Sequence, residues 1–271
     1  MKKIFVCVLL SITSFALLAQ DNTRNDPRIQ KQQNKKNEKK DRINALLKLE
    51  EEGDPAFKKQ SIFGFKAASD GYGISYEKGK YKTPKRTLLF QFELNEKKNP
   101  KEEKTASSQN IFGQVNSVIY GKANNFYQFK IGLGQQHLIG GKANKNGVAV
   151  SYLYAGGFSL GMLKPYYVDV ENVTTRERTR KKFTDTADSN SYAIIGASGF
   201  TYGWKELIIK PGVHAKAAMR FDYGRFNEMV TAIEAGMNAE YYFNEIQQMI
   251  LNKPKNFFFN AYISIEFGRR R

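Results

Sequence analysis

From residue 61 onward the chain repeats with a period of two. Leu88, Phe90, Phe92 and Leu94 alternate with Leu89, Gln91, Glu93 and Asn95. Tyr127, Phe129, Ile131 and Leu133 oppose Gln128, Lys130, Gly132 and Gly134. The same rhythm runs through Val213–Asp222, Thr231–Phe243 and Phe257–Phe267, with further strands predicted at Tyr72–Gly79, Val148–Ala155 and Phe158–Lys164. Successive side chains of a strand point to opposite faces, so this is the pattern of strands with one apolar and one polar face.

Two architectures fit such strands: a soluble sandwich or barrel, and a transmembrane barrel. The polar face helps to separate them. It mixes small residues with charges of both signs: Glu77, Glu93, Lys130, Lys216, Arg220, Asp222, Glu234, Glu240 and Glu266. These are the expected interior ion pairs of a narrow barrel whose apolar face meets lipid. Tyr72, Tyr127, Tyr152, Tyr241, Phe257 and Phe267 lie near strand ends, as interfacial aromatic girdles do. The fold class read from the sequence is therefore all-β, a transmembrane antiparallel barrel of about eight strands, with a polar flexible N-terminal leader.

The eight strands are 72–79, 87–95, 124–134, 147–155, 158–168, 211–222, 228–243 and 256–267. Two more, at 61–69 and 191–200, would make ten. With the C-terminus in the periplasm, connections 80–86, 135–146, 169–210 and 244–255 face outward. Connections 96–123, 156–157 and 223–227 face inward, and the long 96–123 breaks the rule that periplasmic turns are short. Gly156-Gly157 reads as a hairpin turn. Residues 107–121 space Ile111, Val115, Val118 and Ile119 as a short helix would, or form a loop into the next strand.

The N-terminus carries an export signal. Met1-Lys2-Lys3 precedes an apolar run from Ile4 to Leu18, and Leu17-Leu18-Ala19 offers a cleavage site. Cys7, the only cysteine, lies inside this segment, so the mature chain would carry none. Residues 20–60 form a polar periplasmic leader. Asp21–Lys40 is too polar to bury a core, a brief helical pattern follows at Ile43, Leu46 and Leu47, and Gly53-Asp54-Pro55 ends it. The domains are thus 1–19 signal peptide, 20–60 leader and 61–271 barrel.

The last strand, Phe257-Phe258-Phe259-Asn260-Ala261-Tyr262-Ile263-Ser264-Ile265-Glu266-Phe267, looks like the C-terminal signal read by the barrel assembly machinery. With the export signal, the chain resembles small outer-membrane barrels, such as the OmpA-like membrane domain and the PorT-like barrels of the Bacteroidota. The resemblance covers residues 61–267 and implies residence in the cell outer membrane. It departs at the end, where Gly268-Arg269-Arg270-Arg271 follows the aromatic residue.

Chemistry-bearing motifs are scarce. Gly140-Gly141-Lys142 lacks the spacing of a phosphate loop. Gly132 and Gly134 point inward and make room for a bulky neighbour. His214 and Asp222 share a face but stand about 26 Å apart along the strand. His137 is placed in an outer connection. No enzyme, cofactor or metal is expected. The net charge of +17 would suggest nucleic acid in a cytosolic protein, but export removes that partner. Arg176, Arg178, Arg180, Lys181 and Lys182 are candidate contacts for lipopolysaccharide phosphates. The expected role is structural or accessory in the cell envelope, either stabilising it or joining a secretion or assembly complex through the leader and loops. The rivals are a small channel and a lipid-modifying or proteolytic barrel enzyme.

Overall fold

The computed structural model describes residues 27–51, 57–109, 115–142, 147–186, 191–224 and 228–271. The export signal and Gly53-Asp54-Pro55 lie outside them. Residues 1–52 and 53–271 form separate units. In the first, Pro27–Glu51 is one helix, α1. The leader was expected to be unstructured up to Lys40. Its Lys, Gln, Arg and Glu side chains lose little rotamer freedom in a helix, and Pro27 suits the first helical position. Residues 30–41 are exposed throughout, while the side chains of Ile43, Leu46 and Leu47 lie outside the described residues.

The second unit is a closed antiparallel barrel of eight strands: β1 (Lys59–Ala68), β2 (Gly71–Thr83), β3 (Arg86–Lys97), β6 (Asn124–Gly140), β7 (Ala149–Pro165), β11 (Ile208–Asp222), β12 (Met229–Ile246) and β13 (Lys255–Arg270). The remaining strands, β4 (Lys104–Gln109), β5 (Val115–Ile119), β8 (Tyr167–Asn172), β9 (Arg178–Lys182) and β10 (Tyr192–Ala197), lie in the connections. The ring closes where β1 pairs with β13, Phe63 opposite Phe267, which leaves no open sheet edge.

The expected count of eight is right, but its members differ. Gly156-Gly157 is no turn. β7 runs unbroken through both glycines, Gly157 opposite Gly132 and His214. An ideal Cβ on Gly157 would lie 2.1 Å from the Ile131 carbonyl oxygen, so the glycine permits close strand approach. The strand lost by this merger is replaced by β1, which had been the optional 61–69 strand. The other optional segment, 191–200, gives β10 outside the barrel. Of 107–121, residues 110–114 with Ile111 lie outside the described residues; on either side of them β4 pairs with β5, so Val115, Val118 and Ile119 lie on a strand and not on the expected helix.

One hairpin fewer upstream reverses several connections. The start of β1 and the end of β13 lie at one end of the barrel, here the terminal end, Lys59 and Arg271 exchanging backbone hydrogen bonds of 2.8 Å. Connections 84–85, 141–148 and 223–228 share that terminal end. Connections 69–70, 98–123, 166–207 and 247–254 share the far end. So 80–86 and 135–146 lie opposite 169–210, and 96–123 lies beside it, contrary to the expectation. The anomaly of one long turn among short ones disappears.

Candidate functional site

The barrel is inverted relative to a soluble one. Its outward positions are large and apolar: Phe65 is 56% exposed, Phe158 74% and Phe259 61%. On β13 the outward row runs from Phe257 to Phe267. Ten steps cover about 33 Å, or about 25 Å of height at the usual strand tilt, which matches an apolar membrane band. No described helix is long and apolar enough to cross a membrane; the strands do it.

The inward positions hold a charge network. Arg220 on β11 stands at its centre. Its Nη1 and Nη2 donate to Glu77 on β2 at 2.9 and 2.8 Å, its Nη2 to Glu234 on β12 at 2.7 Å, and its Nε pairs with Glu266 on β13 at 2.6 Å. Gln91 donates to Glu77 at 2.7 Å, and the Tyr262 hydroxyl to Glu234 at 2.5 Å. Toward the far end follows a second layer. Glu93 pairs with Lys66 at 2.7 Å and Lys216 at 3.2 Å, and Lys216 also reaches Glu234. A third layer joins Glu240 to Lys130 and to Lys97 at 2.8 Å, and Lys97 to Asp70 at 2.7 Å. At the terminal rim Asp222 meets Arg270 at 2.5 Å and Lys142 at 3.3 Å.

All nine charged residues singled out on the polar face therefore point inward and have oppositely charged neighbours. Lys66, Lys97, Asp70, Lys142 and Arg270 complete the network. Lys66 sits on β1 and Lys97 at the end of β3, just where the sequence reading stopped. Carrying the alternation on through Lys59–Ala68 would have found Lys66.

Aromatic rings close the far end of the lumen. Phe126 and Phe258 meet Tyr242 edge-on at 5.5 and 5.9 Å and tilt against each other at 5.5 Å. Gly161 leaves them room: an ideal Cβ there would lie 2.9 Å from Tyr242 and 3.0 Å from Phe126. Two voids among the lumen side chains measure about 10 Å³ each, room for about one water.

His214 also lies inside, its Nδ1 3.0 Å from Ser159 Oγ. Gly132 faces its ring, 3.1 Å from an ideal Cβ, and so houses the bulky neighbour expected there. Ser159 is fully buried and His214 half-buried. His137 is not in a connection. It lies on β6 and stacks on Tyr152 at 4.8 Å. Among the described residues no group of His, Cys, Asp or Glu is arranged to hold a metal; the carboxylates around Arg220 turn to its guanidinium.

The far-end connections build a folded lobe. β10, β8 and β9 form a sheet, and Val118, Tyr166, Val168, Val170 and Phe183 form its apolar core. Phe183 opens the short helix α2 (Phe183–Thr186). The candidate phosphate-binding cations sit here with carboxylate partners. Arg176 and Arg178 meet Glu171 at 3.3 and 3.1 Å, Arg180 meets Asp169 at 3.1 Å, and Lys182 meets Glu206 at 2.5 Å. Lys181 lies over the Tyr192 ring at 3.8 Å. Across 166–207 the sequence balances six basic residues with six acidic ones.

No protein-family model and no curated protein matches the chain. Solved structures of similar plan are the Neisserial surface protein A, the N-terminal β-barrel domain of Pseudomonas aeruginosa OprF, and the attachment invasion locus protein Ail of Yersinia pestis. The first is 10% identical over 79% of this chain and 97% of that one, with a TM-score of 0.38. The second is 11% identical over 80% and 98%, with a TM-score of 0.35. The third is 9% identical over 79% and 98%, with a TM-score of 0.37. The assignment rests on the barrel's own polarity.

This chain is an outer-membrane β-barrel. Only a closed barrel satisfies every backbone group in lipid when strands do the crossing. An even ring of antiparallel strands, apolar outside and polar within, is the outer-membrane form.

Proposed function

We propose that the protein is a non-conducting, non-enzymatic barrel that serves as a structural or accessory element of the cell envelope and presents its far-end lobe outside the cell. The observation that carries this reading is the packed lumen. Arg220, Glu234 and Glu240 are each under 3% exposed, and an eight-stranded ring is just wide enough to be filled by side chains. Loop lengths support the orientation, since outer-membrane barrels keep short turns in the periplasm and long connections outside. A folded lobe with its own apolar core gives a partner a defined surface. The leader, joined to β1 at the terminal end, would then be the periplasmic link to an assembly or secretion complex.

The test is electrical. Purified barrel in planar bilayers is expected to give no steady conductance. Sustained single-channel steps from the unmodified protein would replace this reading with the small-channel one.

A further inference from the structure

The surplus positive charge of the barrel unit gathers at the terminal end, on the outer wall. β2 continues its lipid-facing row Tyr72, Ile74, Tyr76 directly into Lys78, Lys80 and Lys82, all exposed. On β1 the outward row Phe65, Phe63, Ser61 ends in Lys59, and on β13 Ile265 and Phe267 lead into Arg269. The pairing register brings these side chains together. Lys80 stands opposite Lys59, which shares two backbone hydrogen bonds with Arg271. One step nearer the apolar band, Lys78 and Arg269 flank Ser61.

Like charges directly opposite on one face repel. No described carboxylate lies within ion-pair distance of Lys59, Lys78 or Lys80, whereas every lumen carboxylate named above has a cation. Arg269 alone of this group approaches an acid, Glu228, at 3.8 Å. The repulsion sits at a fixed depth, just beyond the rings of Phe63, Tyr76 and Phe267, where a bilayer places its phosphates.

We infer that this face of the β13–β1–β2 wall is a binding surface for anionic phospholipid headgroups. It rests on the membrane location of the barrel and adds the lipid class and the leaflet, that of the terminal end. The acyl chains lie along the aromatic rows, and the phosphates accept from the two cation rows. At the other end Arg176, Arg178, Arg180, Lys181 and Lys182 have carboxylate or ring partners of their own and are not that surface.

The experiment uses the full mature chain in nanodiscs of mixed phosphatidylcholine and phosphatidylglycerol. Spin-labelled versions of each lipid report which one the barrel wall retains. The expected result is a preference for phosphatidylglycerol that falls about five-fold for each cation removed at low salt in Lys59→Gln, Lys78→Gln and Lys80→Gln. It should vanish at about 1 M salt. Lys80→Glu guards against a folding artefact: it can pair with Lys59, so the barrel should hold or gain thermal stability in phosphatidylcholine while the preference drops. Three results would overturn the inference: a preference unchanged in the triple variant, one abolished by Arg178→Gln with Arg180→Gln, or equal stabilisation by inorganic phosphate alone. Loss of the heat-modifiable gel band from the unmodified chain would instead strike the barrel reading itself.

Discussion

Arg220 and Glu77 meet in a two-bond fork at 2.8 and 2.9 Å across the lumen, although 143 positions separate them in the chain. The planar guanidinium matches a carboxylate in this geometry. The same guanidinium also faces Glu234 and Glu266. Removing it strands three buried carboxylates. Arg220→Met should therefore lose about 3–5 kcal/mol, read as a lower urea midpoint in liposomes. The double variant Arg220→Met/Glu77→Leu should lose less than the two single effects combined, because the second change removes one of the stranded charges.

The adjacent glycines of β7 should behave differently. Gly156 faces outward, and an ideal Cβ there comes no nearer than 3.4 Å to the His214 carbonyl oxygen. Gly157 would press its Cβ against the Ile131 backbone. Gly156→Ala should fold like the parent, while Gly157→Ala should cost about 1–3 kcal/mol by overpacking. Gel-shift melting of both variants measures it. Equal tolerance would argue for the turn that the sequence suggested.

The lobe should unfold without the barrel. Phe183→Ala empties the centre of its apolar core and should remove about 3–5 kcal/mol locally. Limited proteolysis should then cut within 166–207, while the heat-modifiable band stays in place.

The exposed lobe pairs set a pH window. The hydrogen bonds from Arg178 and Arg176 hold the Glu171 carboxyl below its usual value, and Lys182 does the same for Glu206. The bond to Glu206 in turn raises Lys182. Depressed carboxylates contribute above the ordinary carboxylate range, and their contribution is lost as pH falls through the folded values. The raised lysine contributes below the ordinary lysine range, and its contribution is lost as pH rises through its folded value. The protection of β8 and β9 amides, after correction for the intrinsic pH dependence of exchange, should be greatest between those limits and fall on both sides. A corrected protection that stays flat from acid to alkali would contradict these pairs.

Trp204, the single tryptophan, stacks on Tyr127 of the outer barrel wall at 5.5 Å and on the Lys164 ammonium at 5.0 Å. Its emission should be quenched by lipids brominated near the headgroup more than by those brominated near the chain end. The reverse order would move this loop away from the interface.

Much of this was legible from periodicity. Alternation alone assigns Glu93, Lys130, Lys216 and Arg220 to one face and Phe90, Ile131 and Met219 to the other, because a strand offers only two sides. It cannot say which residues on the inward face meet. Lys66 and Glu93 find each other through barrel closure, and closure depends on β1, whose short run between polar neighbours gave a weak signal. The Lys78–Arg86 run was open to view but stood out only once register set it beside Lys59 and Arg269.

What the chain determined by itself is polarity: apolar and charged residues alternate, and a bilayer sorts them outward and inward whatever the strand order. What only tertiary structure decided is connectivity in space. Gly156-Gly157 is locally as good a turn as a strand, and the choice falls to strand because Gly157 fits beneath the Ile131 carbonyl of the neighbouring strand. That one choice sets which loops share an end of the barrel. A local signal cannot carry it, since the deciding contact comes from a part of the chain that pairs only after the sheet has formed.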